Sequence, residues 1–126
     1  MKLTTLKRKA DKIFSIYIRK RDTDYRGWGK CITCGKPVMF EDGDAGHFVS
    51  RKHLKTRYDP RNVHLQCRKE NRFESGNQAT YLRKLEDKFG REVVDELMEA
   101  QHTPHKLTQA DYLDIINKYG GELGRC

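Results

Sequence analysis

The stretch "DAGHFVSRKHLKTRYDPRNVHLQCRKEN", Asp44 to Asn71, decides how this chain folds. Two short apolar pieces, "GHFVS" (46–50) and "VHLQC" (63–67), read as strands. Between them runs a basic connection, "RKHLKTRYDPRN", where Pro60 after Asp59 favours a turn. After the second strand, "RKENRFES" reads as a short helix that Gly76 stops. Two strands with a helix crossing over them would bring His47 and Asn71 face to face, with Asn62 just before the second strand. Singly, each residue has an ordinary explanation. A strand histidine is usually a satisfied structural group, an asparagine after a turn caps it, and a helix asparagine is solvated. Their order in one unit argues for chemistry. A histidine can take a proton from water, and an amide oxygen suits a hard divalent cation such as Mg²⁺ or Mn²⁺ beside waters and phosphate oxygens. Asp44 stands three residues before His47 and Arg51 four after it. Gly46 would let a DNA backbone approach His47 closely.

Upstream, "CITCG" (31–35) has the form of a zinc knuckle, in which Gly35 lets backbone amides turn towards the sulfurs of Cys31 and Cys34. Cys67 supplies a third thiolate, and a structural zinc site wants four ligands in a tetrahedron. The fourth is open. Glu70 stands where a second CxxC would have its cysteine and is the first choice; His64, three residues before Cys67, is the alternative. Redox sites also use CxxC, but the distant third cysteine favours metal. The ion would supply the stability that short strands and loops cannot.

At 126 residues the chain has room for one domain with one modest core. Lys and Arg number 26 against 18 Asp and Glu, a formal charge of +8. That excess favours a polyanionic partner, nucleic acid first, over a soluble protein that merely happens to be basic. Arg51, Lys52, His53, Lys55 and Arg57 cluster just after the histidine strand, where they could hold DNA phosphates. No apolar run approaches the roughly 20 residues that span a bilayer. "MKLTTLKRKADK" has no signal-peptide core, so a cytoplasmic protein with reduced thiols is expected, with no membrane partner.

Residues 1–21 read as a helix with Leu3, Leu6, Ala10, Ile13 and Tyr17 on its apolar face and a basic opposite face. Residues 28–76 hold the knuckle and the strand–strand–helix core. From 77 to 120 the chain is helical in three pieces. The apolar sets are Tyr81, Leu82, Leu85 and Phe89, then Val93, Val94, Leu97 and Met98, then Tyr112, Leu113, Ile116 and Tyr119. Thr108 and Asp111 open the last helix as a capping-box variant, and Gly120 is its expected stop.

With these residues in view, the chain resembles the HNH, or His-Me finger, nucleases, and more closely the lambda-phage NinG (Rap) recombination nuclease family. The matching stretches are "IYIRKRD", "CITCG", "DAGHFVSR", "TRYDPRNVHLQC", "ENRFESGNQATY" and "YLDIINKY", which together cover nearly the whole chain. The resemblance implies an α+β fold, a small zinc-stabilised ββα-metal core with flanking helices. It implies a metal-dependent endonuclease of phage origin, acting in the host cytoplasm on branched or nicked recombination-intermediate DNA. Carried over, His47 is the general base, Asn71 the divalent-metal ligand, and Asn62 the residue that pins the loop. Two departures stand out. Many family members have a second full CxxC where this chain reads "CRKE". Many HNH enzymes place an acid directly before the base, where this chain has Gly46; either Asp44 replaces it, or Asn71 holds the ion with waters alone, as in nucleases with a similar Asp-x-Gly-His motif. Cofactors would be structural Zn²⁺ and catalytic Mg²⁺ or Mn²⁺, and symmetric junction cutting would favour a homodimer. The runner-up is a non-catalytic zinc-dependent DNA-binding module that aids recombination. A cysteine redox protein is a third, weaker reading, and neither of these needs His47.

Overall fold

The computed structural model describes residues 1–123; Cys126 lies outside the described residues. The first helix, α1 (Leu3–Arg21), buries Leu6, Ala10, Phe14 and Ile18, one residue every four, which is a single stripe on a 3.6-residue helix. The stripe is rotated from the one the sequence suggests. Leu3 is 45% exposed, Phe14 and Ile18 are buried, and Ile13 and Tyr17 flank them. The rotation follows from α1 serving two neighbours. Leu6 and Ala10 pack on Tyr112 and Ile116 of the last helix, α5 (Gln109–Leu123). Phe14 and Ile18 pack on Tyr119 and on Val63 beneath.

Two antiparallel hairpins carry the middle of the chain. Strands β1 (Trp28–Lys30) and β2 (Pro37–Met39) frame the knuckle. Strand β3 (Gly43–His47) pairs with β4 (Val63–Cys67), in a register from Gly43 opposite Cys67 to His47 opposite Val63. The first of these strands was expected at 46–50, after a turn at "EDGD". The turn falls at Phe40–Asp42 instead, and His47 closes the strand where it was expected to begin it. The Asn62 side chain supplies the reason: it takes both backbone groups of Val49, so the chain leaves the ladder there.

The basic connection holds a short helix, α2 (Leu54–Arg57), and the expected turn, in which the Asp59 carboxylate accepts from the Arg61 amide at 2.9 Å. The expected short helix after β4 is one wide turn at Lys69–Phe73, with the Glu74 amide bonded to the Lys69 carbonyl at 3.1 Å. Gly76 then stops it in a left-handed conformation, its amide returning to the Glu70 carbonyl at 2.8 Å. Helices α3 (Gln78–Phe89) and α4 (Arg91–Ala100) meet at Gly90. They bury Tyr81, Leu85, Val94 and Leu97 against Phe48 and Val49. The Thr108–Asp111 box forms with both reciprocal bonds, at 2.8 and 3.2 Å. Two expectations for α5 fail. It runs through Gly120 to Leu123, because packing on α1 outweighs the roughly 1 kcal/mol that a helical glycine costs. Leu113 is 46% exposed and is no part of the core. Among the described residues, no helix is long and apolar enough to cross a membrane.

Candidate functional site

A cleft of about 570 Å³ opens where α1, β3 and the turn after β4 converge, and His47, Asp44, Asn71 and Asp11 all line it. His47 is held by its ring. Its Nε2 lies 2.9 Å from the Arg57 carbonyl oxygen. A carbonyl can only accept, so the ring proton sits on Nε2 and Nδ1 keeps its lone pair. Burial, with the charges of Arg51 and Arg57, pulls the His47 pKa from 6.5 to about 4 despite that bond. The imidazole is therefore neutral at pH 7 and able to accept a proton.

Asn71 stands on the wide turn, and its Nδ2 donates to Asp44 Oδ2 at 3.0 Å. Since a carboxylate can only accept, the amide is oriented with Oδ1 directed away from Asp44. Arg72 grips the same carboxylate through Nε and an η nitrogen, at 2.8 and 2.9 Å. Asp44 is thus engaged from both sides. It orients Asn71 and is not presented as a free replacement for the acid missing at position 46.

Asn62 is fully buried. Its Oδ1 accepts from the Val49 amide at 2.8 Å, and its Nδ2 donates to the carbonyls of Val49 and Thr56 at 3.0 and 3.2 Å. These contacts tie the segment that follows His47 to the one carrying the Arg57 carbonyl. Gly46 has a different cause from the one its sequence context suggests. A Cβ there would overlap Gln66 Oε1 and come within 2.9 Å of the Gln66 Cβ. The glycine makes room for a cross-strand side chain, whose own Nε2 holds the Gly76 carbonyl at 2.8 Å and Thr33 Oγ1 at 3.1 Å.

The five basic residues divide. Lys52 and Lys55 are exposed, Arg51 is largely so, and His53 is half-buried. Arg57 is buried, and its guanidinium is spent inside the protein: it holds Asp11 at 2.9 and 2.6 Å and the Arg51 carbonyl at 2.8 Å. Its expected place on the phosphate-binding surface is therefore corrected to a buried ion pair. Burial alone would raise the Asp11 carboxyl, but hydrogen bonds from Arg57 and Tyr58 hold it below the usual range. Asp11 escaped the sequence reading, although one signal was present: it is the single acid among the residues of α1.

The sulfurs of Cys31, Cys34 and Cys67 lie within 4.8 Å of one another. Cys34 and Cys67 are 3.8 Å apart, too far for a disulfide, and tetrahedral zinc with Zn–S near 2.3 Å puts its sulfurs about 3.8 Å apart. Burial would raise the Cys31 thiol. The Thr33 hydroxyl and nearby backbone amides, among them that of Cys34 at 3.5 Å, bring it down to about 7. Cys67 is pushed up to about 11 by burial and the neighbouring Cys31 charge. Crowded sulfurs whose ionisations oppose one another suit a soft divalent cation such as zinc.

Neither candidate for the fourth ligand joins the cluster. Glu70 does occupy a knuckle position, with its backbone amide bonded to the Cys67 sulfur. Its carboxylate instead accepts from Asn77 Nδ2 at 3.0 Å. His64 lies an odd number of residues from Cys67 on a strand, so it points to the other face. There Nδ1 sits 3.3 Å from the Tyr81 hydroxyl, which donates its own proton to the Gly46 carbonyl at 2.6 Å.

The family profile described as Bacteriophage Lambda NinG protein matches residues 2–125. Protein ninG of Escherichia phage 933W is 34% identical over 117 residues, 92% of this chain and 55% of that protein. Protein ninG of Escherichia phage lambda is also 34% identical over 117 residues, 92% and 54% of the two chains. Protein ninG of Salmonella phage P22 is 32% identical over 117 residues, 92% and 55%. The chain thus spans about half the length of these relatives. No solved structure matches it significantly.

Proposed function

The chain belongs to the NinG family of phage proteins, and within that family we propose that it is a metal-dependent DNA endonuclease of the His-Me finger type. The observation that carries this reading is the neutral, tautomer-fixed His47 in the same cleft as the oriented amide of Asn71. In the reaction, His47 Nδ1 takes a proton from the water that attacks the phosphorus. Asn71 Oδ1 would hold a divalent ion, which when bound supplies charge neutralisation at the phosphate and the departing oxygen. Asp44 and Arg72 keep the Asn71 amide turned, and Asn62 keeps the Arg57 carbonyl under the His47 ring. Arg51, Lys52 and Lys55 steer the phosphate backbone towards the cleft. Zinc on the three cysteines would hold the β1–β2 hairpin to β4 and so fix the floor of the site.

The substrate best suited to this reading is branched or nicked DNA of the kind formed in recombination. One feature favours the second reading, a zinc-dependent DNA-binding module: Asp44, which with Asp11 supplies the acids of the cleft among the described residues, is already taken by Arg72. Cleavage of labelled duplex, flap and four-way junction, with and without Mg²⁺, separates the two. The enzyme cuts at least one substrate only with the ion. The module binds and cuts none.

A further inference from the structure

Beside the cleft lies a second depression of about 550 Å³, built from Phe48, Val49, Leu82 and Met98, with Ser50, Ser75, Gln78 and Gln101 among its polar groups. Three of its residues, Ser50, Ser75 and Gln78, also line the cleft, so the two adjoin. Its wall begins at Phe48, the residue after His47. Charged residues make up 35% of the chain, yet among the described residues none lines this pocket. The cleft beside it is charged: Arg57 and Arg72 line it as ion pairs with Asp11 and Asp44, and Arg51 is the arginine there that stays largely exposed. Met98 remains 37% exposed although α4 otherwise buries its apolar face.

We propose that this pocket receives an unpaired nucleobase of the strand whose phosphate occupies the cleft. The inference rests on the DNA reading of that cleft and adds what the site selects. A nucleotide is a charged phosphate joined to an uncharged ring with apolar faces and polar edges. The cleft and the pocket divide in the same way: charged groups with the exposed Arg51 for the phosphate, Leu82 and Met98 over a buried floor of Phe48 and Val49 for the ring faces, amides and hydroxyls for the ring edges. A base stacked within duplex has no free face to offer, and extruding it costs unpairing and unstacking. The pocket therefore favours DNA in which a base is already unpaired, as at a flap or branch point.

The test uses the whole chain, zinc-loaded, without added Mg²⁺ or Mn²⁺, so that binding is read apart from cleavage. The probe is a flap with 2-aminopurine at the unpaired position beside the branch, and a fully paired duplex with the same label is the control. The flap label should change its emission on binding and the duplex label should not. Ala79→Trp fills the pocket from the exposed side of α3, and Met98→Asn makes its wall polar. Each should weaken flap binding about tenfold, the scale of one missing base stack, abolish the emission change and leave duplex affinity unaltered. An unresponsive label in the parent overturns the assignment, as does equal weakening on flap and duplex or no weakening at all. A protein that shows the emission change but cuts nothing with any divalent ion keeps the pocket and loses the nuclease reading. One that cuts with a silent label does the reverse.

Discussion

At the scale of single residues, the site is made by groups that fix one another. The carbonyl at Nε2 fixes the His47 ring, and the carboxylate at Nδ2 fixes the Asn71 amide. Burial leaves both His47 and His64 neutral, each with a pKa near 4. In the unfolded chain they take up protons at about 6.5, so between pH 6.5 and 4 the unfolded state binds more protons than the folded one. Their contribution to stability is full above that window and is lost as pH falls through it. Ring-proton NMR of the protein without DNA or added divalent ion should show neither histidine titrating above pH 5; midpoints near 6.5 would contradict the burial. Gly46 offers a sharper steric test. Gly46→Ala should cost roughly 1–3 kcal/mol in chemical unfolding, since its Cβ meets Gln66. Adding Gln66→Ser should return part of that loss. A Gly46→Ala protein as stable as the parent would show that the glycine answers to something other than Gln66.

At the scale of elements, the three cysteines bring the knuckle and β4 together, and a zinc ion on them would staple hairpins that bury little on their own. Purified protein should carry about one zinc per chain, and Cys31→Ser or Cys67→Ser should lose it together with the folded state. Glu70→Ala should keep the metal, because that carboxylate faces Asn77. Glu70→Cys should tighten zinc binding, because the Glu70 backbone already sits at the Cys67 sulfur. Absence of zinc from Glu70→Ala by elemental analysis would restore Glu70 as the fourth ligand. The cysteine grouping was legible because CxxC and a distant cysteine constrain one another. The fourth position was not, since ligand choice at Glu70 or His64 depends on which way a side chain leaves its strand or turn. The helices were legible from periodicity and the Thr108–Asp111 box. The end of β3 is not legible because the Asn62 side chain sets it from across the loop.

At the scale of the molecule, the positive excess is partly internal. Arg57 neutralises Asp11, Arg72 neutralises Asp44, and Arg21 pairs with Asp22 and reaches the carbonyls of Pro60 and Val63. A count of charges cannot tell such arginines from those that meet solvent, so the sequence alone places Arg57 among the phosphate contacts and does not single out Asp11. The division is measurable. Lys52→Ala with Lys55→Ala should flatten the salt dependence of DNA binding, by about 0.9 in log–log slope for each duplex phosphate that the lysines neutralise, with little change in stability. Arg57→Ala should instead destabilise the fold by about 2 kcal/mol, because it leaves Asp11 without its main partner. An unchanged slope in the double lysine variant would place the DNA-binding face elsewhere.

The central claim is that His47 is the group that moves the proton, and single-turnover cleavage of a four-way junction and a nicked duplex across a Mg²⁺ and Mn²⁺ titration, with binding followed in parallel, tests it most directly. His47→Ala should lose roughly 10²- to 10⁴-fold or more in rate while DNA binding and zinc content stay near the parent's, because a general base acts in the transition state and adds little to ground-state affinity. Asn71→Ala should also be inactive but regain part of its rate at high metal, since its role is to hold the ion. A His47→Ala protein that cuts as fast as the parent would contradict the assignment.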